Sequence, residues 1–275
     1  MKKSELKKLI KENIFSILKE STSSPKAIFL AGAPGAGKGY VLKGLDLSGL
    51  EILNIDDFFI EYLKQLNVSL DLKNADAKDR SNSAKAMAQA IKDVKDEIPK
   101  LIKSQTSFIL DGTAASYKNI NELKQELESN GYDTFMLYVY TDLERSLLQN
   151  QNRYEKSQGT DRSLNPSIVL RTWLSVTKNY FPFKELFGNN FISVANTLED
   201  ESLKDIEQIL KTYIEPFTPT DTKPKSEKEQ QKSDLQKQKL NQEIQGLLNS
   251  TEIKNIINNS ISKQEAQQKI QQFLN

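Results

Sequence analysis

The chain has 275 residues, carries 38 Lys and Arg against 37 Asp and Glu for a formal net charge of +1, and contains neither cysteine nor histidine. That balance leaves no global field to attract nucleic acid or an anionic membrane. The missing residue types exclude disulfides, thiol nucleophiles, Cys/His metal sites and a histidine general base, so any proton acceptor is a carboxylate, a lysine or the substrate itself.

In chain order, Leu6, Ile10, Ile14, Ile17 and Leu18 recur at helical spacing and predict a helix over residues 4–19. Short apolar runs that read as strands follow at 27–31, 51–54, 107–110, 134–140 and 191–194, with helical patterns in the intervals. Asn130-Gly131 marks a helix stop, and Thr141-Asp142-Leu143-Glu144 reads as a capping box. Strands separated by helices predict an α/β fold: a roughly five-stranded, mainly parallel sheet flanked by helices, with ligands bound beyond the carboxyl ends of the strands. A helix bearing Leu203, Ile206, Leu210 and Tyr213 closes this domain, taken as residues 1–215. Residues 216–234, rich in Lys, Glu, Thr, Pro and Ser, read as a flexible linker. Over 235–275 the apolar pattern returns as short amphipathic helices, with Ser262 and Glu265 forming a second capping box. These carry few apolar residues for a core of their own. They are expected to dock on a protein partner, to self-associate or to form a weakly ordered tail. No apolar run approaches the roughly 20 residues of a membrane span, and the N-terminal stretch is not signal-like, so a cytoplasmic protein without membrane contact is expected.

The run Gly32-Ala33-Pro34-Gly35-Ala36-Gly37-Lys38, set between a strand and a helix, has the G-x-x-x-x-G-K pattern of a P-loop. Glycines let successive backbone N–H groups turn inward to cradle phosphates, and the lysine reaches the β- and γ-phosphates as a mobile charge. Gly32 through Tyr40 are therefore the candidate nucleotide-binding residues, with ATP the expected cofactor. Gly39 stands where a Ser or Thr hydroxyl normally meets Mg²⁺, and Tyr40 follows. Metal binding must then lean on carboxylates and water.

The second strand ends in Asn54-Ile55-Asp56-Asp57-Phe58-Phe59, which brings two acids to the ligand edge. One caps the following helix while the other accepts or orients the acceptor's proton; Asp57 is favoured for the chemistry and Asp56 for substrate contact or capping. The third strand ends in Asp111-Gly112-Thr113, a Walker-B form in which Asp111 holds Mg²⁺ and Thr113 contacts substrate or nucleotide phosphate. Only five basic residues are arginine, and Arg145, Arg153, Arg162 and Arg171 cluster after the fourth strand. A planar fork suits bidentate phosphate contact. Arg153 and Arg162 are read as phosphate ligands, the first just before and the second within a polar lid over 155–165, while Arg145 is read as an ordinary helix-face ion pair. Arg171 is left between phosphate contact and surface. Arg80 falls in the other insertion, 70–83, where an acceptor would bind. Segments 66–83 and 114–119 are expected to shape the acceptor pocket. Trp173, Phe181, Phe183 and Phe187 read as core and hinge packing.

Taken together, these elements resemble the zeta-toxin-like group of P-loop kinases, including phage-encoded members, over about residues 25–200. Adenylate kinases carry a similar Gly-Ala-Pro-Gly-Ala-Gly-Lys-Gly run. The resemblance implies a fold of the nucleoside-monophosphate-kinase type, Lys38 on the phosphates, Asp57 as base, and Arg153 and Arg162 stabilising the transferred phosphoryl group. Zeta toxins phosphorylate a UDP-linked amino sugar. Asp111 stands where the family usually has Glu, and Gly39 replaces its hydroxyl. Phage-encoded members would act in the host cytoplasm.

The function expected is thus an ATP-dependent kinase acting on a hydroxyl of a small metabolite, nucleotide or nucleotide sugar. Two alternatives stand beside it: a nucleotide-binding module whose C-terminal helices hold a partner, and a polynucleotide 5′-kinase, to which the near-neutral charge lends no support.

Overall fold

The computed structural model describes residues 24–197, 209, 211 and 227–275. The helix predicted at 4–19 and the apolar face at 203–213 lie outside the described residues, apart from Ile209 and Lys211.

Five strands form one sheet in the order β2-β3-β1-β4-β5, every pairing parallel. They are β1 (Lys26–Ala31), β2 (Glu51–Asn54), β3 (Phe108–Asp111), β4 (Asp133–Tyr140) and β5 (Phe191–Ala195). A strand covered on both faces reads as a continuous apolar run rather than an alternation, and β1 is such a strand. Its Ala27, Phe29 and Ala31 enter one core, while Ile28 and Leu30 enter the other. In register, Leu30 of β1 lies level with Asp111 of β3 and Leu137 of β4, so the carboxyl ends of the central strands open together.

The larger core packs under α2 (Ile55–Gln65), α3 (Ala77–Ser104), α4 (Tyr117–Ser129), α5 (Leu143–Lys156), α6 (Pro166–Lys178) and α7 (Tyr180–Phe187). Helix α6 begins where a sequence reader would place it: Pro166 fills the first turn, and Asn165 Oδ1 accepts from the Ser167 amide. For α5 the cap is Asp142, which accepts from the Arg145 amide at 2.7 Å, so Thr141 is one residue outside the expected position. Trp173, Phe183 and Phe187 are buried as expected; Phe181 is exposed.

The second face of the sheet is covered by α1 (Lys38–Leu42) and by the C-terminal helix α10 (Lys263–Leu274). Here the structure departs from the sequence reading. Helix α8 (Glu227–Leu248) starts inside the stretch read as linker. It is followed by α9 (Glu252–Asn258), and Ile244, Leu247, Leu248, Ile253 and Ile256 are buried in the larger core. Ala266 and Ile270 of α10 are fully buried against the sheet, and Phe273 packs on Phe135 with ring centroids 4.9 Å apart. Helices too poor in apolar residues to fold alone have found their partner within the chain. Among the described residues, no helix is long and apolar enough to cross a membrane.

Candidate active site

Beyond the carboxyl end of the sheet lies a cavity of about 1180 Å³. Its floor is the loop between β1 and α1, whose shape follows from three glycines. Gly35 and Gly37 have φ of 77° and 89°, conformations that favour glycine, and a Cβ on Gly37 would fall 2.7 Å from Asn196 Nδ2. A Cβ on Gly32 would fall 2.6 Å from the Val139 carbonyl oxygen. Two side chains from later in the sequence pin the loop: Ser146 Oγ donates to the Pro34 carbonyl at 2.7 Å, and Asn196 Nδ2 donates to the Ala36 carbonyl at 2.8 Å. Nothing in a motif search points to them, because they lie 112 and 160 residues away from their partners.

The loop residues Pro34, Gly35, Ala36, Gly37, Lys38 and Gly39 line the cavity. Gly32 and Ala33 are buried beneath it, the Gly32 amide donating to the Thr113 carbonyl at 3.2 Å. Tyr40 is turned away: its ring is 63% exposed and Lys263 Nζ sits 3.6 Å from its centroid. Tyr40 does not line the cavity.

Over the floor stand the charged groups. Lys38 Nζ lies 3.5 Å from the Gly32 carbonyl oxygen. Burial holds its ammonium below the ordinary lysine value, against the opposing pull of Asp111 and Asp56. Asp56 is paired with Arg162 Nη2, and its other oxygen is 3.9 Å from Arg153 Nη1. Burial works against ionisation of Asp56, yet Arg162, Arg153 and Lys38 together hold its carboxyl below the usual range. Burial raises Asp111, and Lys38 partly offsets the rise.

Asp57 is exposed and does not line the cavity. The helix cap that competed for these acids is taken by Asn54, whose Oδ1 accepts from the Asp56 amide at 2.9 Å. Consecutive helical residues diverge by about 100°, so only one of two adjacent acids can face the cavity, and it is Asp56. Arg171 is likewise exposed and outside the lining, whereas Arg80 and Thr113 line it. Arg145 has left the helix face, its Nη1 donating to the Thr197 carbonyl at 2.8 Å.

Arg162 is only 4% exposed. Its Nε and Nη1 are buried with no hydrogen-bond partner, and its guanidinium lies 5.2 Å from the centre of the Phe59 ring. The loop that carries it is sewn down at several points. Asn150 binds both the amide and the carbonyl of Leu164, at 2.9 and 2.8 Å. The Ser163 amide donates to the Leu70 carbonyl at 3.0 Å, and Ser163 Oγ donates to Asp71 at 2.9 Å. The insertion carrying Arg80 and the loop carrying Arg162 therefore form one roof. Segment 114–119, expected to shape the acceptor pocket, is absent from the lining. Its place is taken by Ala84, Met87 and Ile91 of α3 and by Ile168 and Thr172 of α6. The first three recur at i, i+3 and i+7, a stripe visible in the sequence but inseparable there from core packing.

The fold is similar to that of the AvrRxo1-ORF1:-ORF2 structure with ATP, at 15% identity over 75% of this chain and 68% of that one, with a TM-score of 0.51. A second solved structure, from the PezAT chromosomal toxin–antitoxin system of Streptococcus pneumoniae, is 20% identical over 89% of this chain and 97% of that one, with a TM-score of 0.46. No curated protein sequence matches the chain. A family model described as Zeta toxin matches residues 11–196, two-thirds of the chain, and the protein belongs to the zeta toxin family.

Proposed function

We propose that the protein is an ATP-dependent phosphotransferase, a P-loop kinase that moves the γ-phosphate of ATP to a hydroxyl of a small metabolite, nucleotide or nucleotide sugar. The observation that carries this reading is Arg162: a buried guanidinium with two unsatisfied donors, in the cavity that also holds Lys38 and Asp56. Buried donors without partners cost about 1–3 kcal/mol each, and a phosphoryl group between Lys38 and Arg162 would satisfy them. Lys38 and the loop amides would hold the β- and γ-phosphates, and Arg162 with Arg153 would neutralise charge developing on the transferred group. Asp56 would orient the acceptor hydroxyl and take its proton, a role that passes to it from Asp57 because only Asp56 lines the cavity.

Asp111 fits a magnesium ligand. Mg²⁺ binds through one or two carboxylates together with phosphate oxygens and water, and Asp111 lines the cavity beside Lys38. Among the described residues no three acidic side chains cluster to hold an ion alone, so the ion would arrive with the nucleotide. When bound it would screen the phosphate charge. Gly39, which supplies no hydroxyl, favours one alternative: a module that binds nucleotide without useful turnover.

The test is label transfer from radioactive ATP with magnesium to pooled nucleotides, nucleotide sugars and 5′-hydroxyl oligonucleotides. Label is expected in one of the first two pools. Lys38→Ala and Asp56→Asn should each lower the rate by about 10²–10⁴-fold, with Asp57→Asn near wild type. ATP binding without a labelled product would replace the kinase by the binding module, and label on oligonucleotides alone would make it a polynucleotide kinase.

A further inference from the structure

The P-loop of this chain continues into an unusually short support. Helix α1 has five residues, of which only Val41 is buried. The turns that follow it include Gly44 and Gly49 at φ of 96° and 82°, each with open space around it. Leu42, Leu45, Leu47 and Leu50 are partly buried and pack against the core on this side.

The polar anchoring of the far end of α1 comes from the other end of the sequence. Val41 packs in the core cluster that Ala266 and Ile270 of α10 complete. Next to Ala266, Gln267 presents its side-chain amide to the C-terminal end of α1. Nε2 donates to the Val41 carbonyl at 2.8 Å and to the Lys43 carbonyl at 2.9 Å, so both hydrogens of one NH₂ group are used. Carbonyls at a helix C-terminus lack intrahelical partners and need such donors. Lys263, one turn before Gln267, lies over the Tyr40 ring. Helix α10 itself is held to the sheet by Phe273 on Phe135 and by the Ile261 amide, which donates to the Ser193 carbonyl at 2.8 Å.

We infer that residues 261–275 are a built-in strut of the phosphate-binding loop and that Gln267 is its positioning residue. The segment lies beyond residues 11–196, where the family match ends. The inference rests on the nucleotide-binding reading above. The physical argument is one of preorganisation. The loop amides bind phosphate only if they stay converged; Ser146 and Asn196 pin the loop itself, and Gln267 holds the far end of the helix it runs into.

The experiment compares the full chain with Gln267→Glu, Gln267→Leu and Gln267→Lys, all well below their melting temperatures. Glu is nearly isosteric but sets a carboxylate against two carbonyls. Leu removes the donors without adding charge, and Lys restores a donor and places a cation at the helix end. ATP affinity is measured by calorimetry, and hydrogen exchange of the amides over residues 35–43 is followed without nucleotide. The expected result is an ATP Kd weakened about tenfold in Gln267→Glu, roughly one lost charge-opposed hydrogen-bond pair. Gln267→Leu should show a smaller loss and Gln267→Lys an affinity near wild type, with faster exchange over 35–43 only in the first two. Unchanged affinity and exchange in Gln267→Glu would overturn the strut, as would equal loss in Gln267→Lys, which would mean general disruption of α10. Should wild-type protein bind no ATP, the nucleotide reading fails. The exchange pattern then still decides whether Gln267 holds the loop.

Discussion

At the scale of single residues, the site is decided by which of two adjacent aspartates turns inward. Asp56 pairs with Arg162 and lies near Arg153, and this pairing fixes a pH dependence. Its carboxyl titrates below the ordinary value in the folded protein, held there by the arginines and Lys38 against the cost of burial. A group with a depressed folded value contributes stability that is complete above its unfolded value, about 3.9 for Asp. That contribution is lost as pH falls through the folded value. Asp56→Asn should therefore be less stable than wild type at pH 7, and the gap should narrow as pH falls below about 4, read by denaturant unfolding at each pH. A gap that stays constant into acid would mean that the loss came from packing and not from charge. The residue types of this site were legible in sequence: a Lys after the glycine loop, acids at two strand ends, scarce arginines gathered after the fourth strand. The facing of adjacent side chains was not. It depends on where α2 begins, and Asn54 takes the cap expected of one of the two aspartates.

At the scale of elements, the roof over the site depends on pairings that span the chain. The loop bearing Arg162 is closed by Asn150, whose buried amide satisfies both backbone groups of Leu164. It is tied to the 70–74 segment by Ser163, whose partner Lys73 lies 90 residues away. The strands could be read from apolar runs because the sheet buries both faces. The lid could be read from its polar, arginine-bearing composition. Its closure could not, because a polar loop carries no periodic signal of what it will pair with. Asn150→Ala leaves two buried backbone groups without partners, at about 1–3 kcal/mol each. That lowers stability by about 2–6 kcal/mol and frees the lid, so Arg162 should be less well placed when substrate is bound. Steady-state kinetics should show a fall in kcat with little change in ATP affinity, since Asn150 does not line the cavity. A weaker ATP Kd with unchanged kcat would locate the role of Asn150 in the loop beneath and not in the roof.

At the scale of the whole molecule, the C-terminal helices contribute buried side chains to both cores. Their apolar residues were legible one by one, yet nothing in their spacing said whose surface they cover. The sheet already had helices enough for one face, and the second face had only α1, five residues long. That deficit is the physical reason that α10 is held within the chain. It also predicts the result of cutting the chain after residue 226. Removing α8, α9 and α10 strips Ile244, Leu247, Leu248, Ile253, Ile256 and Ile270 from the cores they occupy. Fully burying such a side chain contributes about 1.5–3 kcal/mol, so six of them rival the roughly 5–15 kcal/mol that separates folded from unfolded domains. The areas behind such figures are upper bounds; even half the total removes most of the margin. The shortened chain should lose its cooperative melting transition, or melt far below the full chain, and should aggregate through the uncovered apolar sheet face around Phe135 and Leu137. Thermal unfolding followed by circular dichroism, with size-exclusion chromatography beside it, reads both effects. A monomeric fragment with an unchanged transition would mean that the fold does not need the three helices, and would leave α1 to hold the phosphate loop without them.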